Sequence, residues 1–130
     1  MTRQPGWVKW AFLATAILLP IGWLIAVIVS WDHIVDSHAR LGYLIGDVGI
    51  VTPLCFATWE GLRQPRDWTR PVFMFTAGAL VYDLVHFGVY LVQEDFTGAG
   101  WAWGLLCAAL VAVLVWLAFL EVRASLEVRR

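Results

Sequence analysis

Charge is scarce in this sequence, and that scarcity excludes a soluble domain. Only 15% of its 130 residues are charged, 61% are hydrophobic, and the mean hydropathy is +0.74. A typical soluble domain carries about 25% charged residues. The formal net charge of −1 also supplies no general attraction to the phosphates of a nucleic acid. We therefore expect an integral membrane protein with no nucleic-acid partner.

Cysteine is almost as rare, and its placement gives no sign of a metal site. Cys55 and Cys107 are the two cysteines, and both lie inside apolar runs without a CxxC motif. Such cysteines behave as small buried hydrophobes. The three histidines also lack the spacing of a zinc or haem site. We expect no metal and no cofactor, although His33 or His38 folding over His86 as haem ligands stays open.

Four apolar stretches are each near the roughly 20 residues that a membrane-crossing helix needs. Nine tryptophans accompany them, and tryptophan gathers at membrane–water interfaces. Pro20 predicts a kink in the first helix, and Gly42 with Gly46 forms a GxxxG step that lets a neighbouring helix approach. The sequence predicts an all-α, four-transmembrane-helix antiparallel bundle. It forms a single domain over residues 1–130, with helices at about 10–31, 39–60, 71–92 and 101–122.

The basic residues predict the orientation of these helices. In a chain of four crossings, eight of the nine Lys and Arg residues fall on one side, and only Arg40 falls on the other. Because basic residues concentrate in cytoplasmic loops, we expect both termini to be cytoplasmic. We expect a multi-pass protein of a bacterial-type plasma membrane or an equivalent bilayer. Membrane lipids are its expected surroundings, and a homo-oligomer stays open.

Two ionisable residues interrupt the third apolar stretch, and they form the main candidate site. Asp83 and His86 are three residues apart, so they share a helix face. Tyr82 and Tyr90 each lie four residues from His86 and flank it. Ionisable groups at membrane depth are costly and are read first as functional. Asp83 and His86 are therefore predicted catalytic residues.

A third candidate comes from the second stretch. With about 1.5 Å of rise per residue, Asp47 lies roughly 10–12 Å below the outer end of its helix. Asp83 and His86 lie roughly 9–14 Å below theirs by the same rise. The three are predicted to line an outward-facing polar pocket as its catalytic residues. Its predicted aromatic substrate-binding residues are Tyr43, Tyr82, Tyr90, Trp31, Trp101 and Trp103, and its polar rim is His33, Asp36 and His38.

This combination favours acid–base chemistry on a hydrophobic molecule. A carboxylate beside an imidazole can exchange protons with a substrate, and aromatic faces stabilise a developing cation. We expect an isomerase-type or cyclase-type enzyme acting on a small lipidic substrate, such as an isoprenoid. A proton or cation transporter is the first alternative. A non-catalytic accessory subunit and a haem-binding or metal-binding subunit are the others.

Overall fold

The computed structural model describes residues 4–94 and 98–128, and these residues form helices without a β-strand. Their elements are α1 (Val8–Val35), α2 (His38–Gly46), a π-helical segment (Asp47–Val51), α3 (Thr52–Arg63), α4 (Thr69–Glu94) and α5 (Ala99–Val128). Since α2, the π segment and α3 run on as one span, four helices are long and apolar enough to cross a membrane. The predictions of an all-helical protein and of four helices long and apolar enough to span a membrane are confirmed.

The chain divides into two compact units. The first unit is Pro5–Val72, and it contains α1, α2, the π segment and α3. The second unit is Met1–Gln4 with Phe73–Arg130, and it contains α5 and most of α4. The single domain and the antiparallel bundle stay predictions.

Helix α1 is longer than the sequence predicts. Its 28 residues correspond to about 42 Å, more than the roughly 30 Å of a hydrocarbon core. Pro20 lies inside it, and Ser30 has the non-helical dihedral angles φ −140° and ψ 36°. Beyond this bend the helix resumes and continues through Val35, so Asp32 and His33, which follow its predicted end at residue 31, belong to its last turn. The side-chain oxygen of Ser37 then caps α2 by accepting the backbone N–H of Arg40 at 3.4 Å.

A proline accounts for the π segment in the second span. Pro53 has no N–H to offer the carbonyl four residues earlier, and its ring crowds that carbonyl in an α-helix. The chain widens into a π-turn just before it, where the backbone N–H of Thr52 bonds to the carbonyl of Asp47. The Thr52 hydroxyl donates to the same carbonyl at 2.9 Å. The continuous α-helix predicted for this span is therefore interrupted at Asp47.

The turn between α3 and α4 is fixed by one threonine. The Thr69 hydroxyl donates to the carbonyl of Gly61 at 3.2 Å and accepts the backbone N–H of Arg66 at 2.9 Å. A Cβ atom at Gly61 would lie 2.9 Å from Thr69 Oγ1 and 3.0 Å from Cζ3 of Trp68. Glycine at residue 61 is therefore what allows α4 to begin so close to α3.

Replacing Gly61 with alanine should destabilise the protein. Overpacking of this kind costs about 1–3 kcal/mol, and alanine returns up to about 1 kcal/mol through helix propensity. We expect a net loss of about 1 kcal/mol, seen as a lower midpoint of thermal unfolding in detergent. The matched control is Gly42→Ala, because among the described residues nothing lies within 4 Å of a Cβ there. An equal loss in both variants would contradict the close contact at Gly61.

In the second unit, glycines also bring α4 and α5 together. A Cβ at Gly104 would lie 2.6 Å from Cγ2 of Val92, and one at Gly88 would lie 3.1 Å from Cβ of Cys107. Small residues let membrane helices approach in this way. The predicted close approach at Gly42 and Gly46 is not seen within the described chain, where both positions face open space. Both cysteines are buried, as predicted.

A buried carboxylate lies near the end of α5. Glu121 is only 2% exposed, and its Oε1 accepts a hydrogen bond from Nε2 of Gln4 at 2.9 Å. The same Gln4 nitrogen also donates to the carbonyl of Leu117 at 3.0 Å. These bonds tie the segment preceding α1 to α5.

Candidate functional site

The Asp83 and His86 pair lies on α4, in the second unit, and its two members differ in exposure. The His86 side chain is exposed, whereas Asp83 is half-buried and its Oδ2 atom is shielded from solvent. His86 is eight residues from Glu94, the last residue of α4, which corresponds to roughly 12 Å along the helix. The imidazole is thus exposed about two turns before the end of a helix that is long and apolar enough to cross a membrane.

Tyr82 packs against this histidine. The two ring centroids are 4.3 Å apart and the ring planes are inclined by 57°, as expected for side chains one helical turn apart. The Tyr82 side chain is itself 64% exposed. Together the two rings form an exposed aromatic surface on α4, one turn from a shielded carboxylate.

The other aromatic residues predicted for the second unit are less closely associated with the pair. Tyr90 lies one turn beyond His86 on α4 and is half-buried. Trp101 and Trp103 lie in the first turns of α5, with 47% and 55% of their surface exposed. Their place near a helix end is typical of tryptophans at a membrane interface.

Asp47 belongs to the first unit and has a specific partner on α1. Its Oδ2 atom accepts a hydrogen bond from the indole Nε1 of Trp23 at 2.7 Å. The carboxylate is half-buried and stands at the first residue of the π segment. Single π-turns within α-helices are frequent at functional sites. The bond holds the middle of α1 against the point where the second span changes its helical pitch.

The remaining predicted residues of the first unit surround the junction of α1 and α2. Tyr43 is half-buried one turn before Asp47 on α2. Trp31 is 52% exposed, and the predicted rim residues, His33, Asp36 and His38, are all at least partly exposed. The backbone carbonyl of His33 accepts a bond from Nη1 of Arg40 at 3.1 Å, which holds the two-residue link between the helices.

The structure brings two of the predicted residues into contact, but it does not test the predicted pocket that would join Asp47 to the residues of α4. Tyr82 and His86 are in ring contact on α4. Asp47 is held in the first unit, while Asp83 and His86 belong to the second. A pocket shared by Asp47 with Asp83 and His86 stays a prediction. Within residues 4–94 and 98–128, no three His, Cys, Asp or Glu side chains are grouped as metal ligands would be.

Two residues of interest were not predicted from the sequence. Trp23 lies in the middle of α1, whereas sequence reasoning assigned tryptophans to the two interfaces. An indole N–H buried in an apolar helix needs an acceptor. This requirement could have indicated that Trp23 bonds to Asp47. Glu121 resembled the start of a solvated tail because charged residues follow it. Its hydrogen-bond partner, Gln4, is 117 residues distant in sequence.

Chemically, the α4 arrangement suits proton transfer to a molecule that approaches from the bilayer. An imidazole can both take and give a proton, and a shielded carboxylate beside it can hold or exchange one. The Tyr82 ring offers a π face next to the same imidazole. Comparison of the chain with protein-family models, curated proteins and solved structures finds no match. Function is therefore inferred from the residues of this chain alone.

Proposed function

We propose that this chain is a multi-pass membrane enzyme that performs acid–base chemistry on a small lipidic substrate, with Asp83 and His86 as its acid–base pair. The observation that carries the proposal is the exposed His86 imidazole, packed at 4.3 Å against Tyr82 and one turn from the shielded Asp83. A lipid in the bilayer reaches an exposed side chain without entering water. Ionisable groups inside a membrane are costly and mark candidate functional positions.

The reaction that fits these groups is the movement of a carbon–carbon double bond. One member of the pair, in its protonated form, gives a proton to an alkene carbon and leaves a cation on the neighbouring carbon. The other member, as a base, removes a proton from an adjacent carbon, and a double bond forms in a new position. The exchange is balanced because one proton enters and one leaves. Tyr82 supplies a π face for the cation, and branched isoprenoid alkenes give the most stable cations.

The proposal includes the arrangement of the chain in its membrane. We propose a four-helix antiparallel bundle with both termini cytoplasmic, in a bacterial-type plasma membrane or an equivalent bilayer. The distribution of Lys and Arg supports this orientation. It puts His86 in the outer half of the membrane. Reporter fusions at the two termini and at the α4–α5 link test this orientation directly.

The test of function is the exchange of a proton between solvent and lipid. Purified protein is incubated with a total lipid extract that contains isoprenoids, in H2O and separately in D2O, and the lipids are followed by mass spectrometry. We expect one lipid to be converted into an isomer of equal mass in H2O and into a product heavier by one deuterium in D2O.

The alternatives give different outcomes in the same preparation. An unchanged lipid profile together with proton or cation flux in sealed vesicles would replace the enzyme with a transporter. A visible absorption band of haem in the purified protein would assign a cofactor role. An unchanged profile with neither signal would overturn the proposal and favour an accessory subunit.

A further inference from the structure

Four basic side chains lie at one end of the first unit, where α1 begins, α3 ends and α4 begins. The Trp23–Asp47 bond sets the level of α1 against the second span. Lys9 and Gly61 are each fourteen residues from that bond, towards the start of α1 and the end of α3. A two-residue link joins α1 to the second span and α1 packs against α3, so these two helices run in opposite directions. Lys9 therefore reaches the level of the last turn of α3. We define the basic rim as Lys9, Arg63, Arg66 and Arg70.

The charges of the basic rim are largely available to a ligand. The three arginines are exposed and Lys9 is half-exposed. Arg63 has a carboxylate partner, Glu60, at 3.0 Å, and about half of its side chain remains exposed. Throughout the described part of the chain, no carboxylate lies within ion-pair distance of the other three. Asp67 is the other acidic side chain at this end, so positive charge predominates.

Tryptophans place this rim at the level of lipid headgroups. Trp7 and Trp10 are 51% and 58% exposed at the start of α1. Lys9 lies 5.6 Å from the ring centroid of Trp10, and Arg63 lies 5.0 Å from that of Trp59. Tryptophan prefers the membrane interface. A basic group held beside an interfacial indole lies where phospholipid phosphates are found.

The turn that carries Arg66 is ordered before any ligand binds. Its backbone N–H bonds to the Thr69 hydroxyl, which in turn bonds to the carbonyl of Gly61. The Arg66 guanidinium bonds only weakly, at 3.5 Å, to the Gln64 side chain. An ordered backbone with a lightly engaged guanidinium is suited to capture a phosphate oxygen, for which arginine is the preferred residue.

We propose that the basic rim binds anionic phospholipid headgroups in preference to zwitterionic ones. The positive-inside rule explains why basic residues face the cytoplasm, but it does not require them to hold a lipid. Lipid binding is supported by the exposed guanidinium groups, the two cation–π pairs and the hydrogen-bonded turn. An acidic protein segment fits less well, because the interfacial tryptophans would then be left beside a polar partner. The inference does not depend on the proposed enzyme activity.

Native mass spectrometry of the full chain in detergent tests this inference. Phosphatidylglycerol and phosphatidylcholine are added at equal concentration, and the lipid adducts are counted. A basic residue near an anionic surface contributes roughly fivefold in binding. We expect the preference for phosphatidylglycerol to fall about fivefold in Arg66→Gln and further in a variant with Arg63, Arg66 and Arg70 all changed to glutamine. Circular dichroism checks folding, and the single variant decides the result if the triple variant does not fold.

The matched control is Arg123→Gln, since Arg123 is an exposed arginine near the end of α5 that pairs with Glu127 at 3.3 Å. It should leave the preference unchanged. Inorganic phosphate at millimolar concentration should not displace the lipid. Displacement would indicate a site for free phosphate instead. An equal loss in Arg66→Gln and Arg123→Gln, or no preference for phosphatidylglycerol in the wild type, would overturn the inference.

Discussion

Replacing Asp83 with asparagine should lower the rate of deuterium incorporation into the lipid product by at least about 100-fold. General acid–base catalysis contributes about 10²–10⁴-fold to a rate. Asparagine has the shape of aspartate and can form hydrogen bonds, but it cannot give or take a proton. His86→Gln should cause a loss of similar size for the same reason. The measurement is the initial rate of product formation in D2O by mass spectrometry.

The control for Asp83→Asn is Asp67→Asn, the same chemical change at an exposed residue in the α3–α4 link. It should keep the wild-type rate. Size-exclusion chromatography and circular dichroism must show that Asp83→Asn is folded, so that a lost rate reports chemistry. If the folded variant still converts its lipid at the wild-type rate, Asp83 is not part of the acid–base pair.

Helix content was predictable from this sequence because a bilayer leaves few alternatives. A backbone in hydrocarbon must satisfy its hydrogen bonds internally, so long apolar stretches become helices. The ends of those helices were less predictable. Polar residues such as Asp32 and His33 resemble a loop, yet α1 includes them because a helix can continue into the headgroup region. For the same reason α5 reaches Val128, beyond its predicted end at about residue 122.

The π segment could not be predicted with the same ease. Pro53 signals a disturbed helix, but a proline can produce either a kinked α-helix or a widened turn. Here Thr52 supplies a hydroxyl that bonds to the Asp47 carbonyl, and Trp23 supplies a donor from α1 to the side chain of the same residue. The second of these contacts joins residues 24 positions apart, so it could not be predicted from the sequence around Pro53.

The candidate site was likewise predictable only in part. The contact of Tyr82 with His86 follows from four-residue spacing on a helix, and the structure contains it. The exposure of His86 does not follow from spacing, because it depends on which side of α4 its neighbours cover. The hydrogen bond of Asp47 also could not be predicted, because its partner Trp23 lies in an apolar stretch without any ionisable residue.

The second large effect that we expect is a loss of stability when Trp23 is replaced. Trp23→Phe should lower the free energy of unfolding by about 1–2 kcal/mol. Hydrogen bonds between membrane helices average about 0.6 kcal/mol and reach about 1.7, while bonds to charged groups are worth about 1.5–3. Phenylalanine fills most of the indole volume but donates nothing, so the Asp47 carboxylate loses its 2.7 Å donor. Thermal unfolding in detergent measures the loss, with Trp10→Phe as the control at an exposed tryptophan.

A second variant, Asp47→Asn, separates the structural role of Asp47 from its predicted catalytic role. The asparagine amide would still present an oxygen to the Trp23 indole, so the loss of stability should be smaller than in Trp23→Phe, because a charged acceptor is exchanged for a neutral one and not removed. If Asp47 also exchanges a proton with the substrate, as the sequence predicts, lipid turnover should fall in the same variant. Stability and turnover both unchanged in this variant would show that the carboxylate serves only to hold α1 at the π segment. A loss of stability in Trp10→Phe equal to that in Trp23→Phe would show that the hydrogen bond itself contributes nothing.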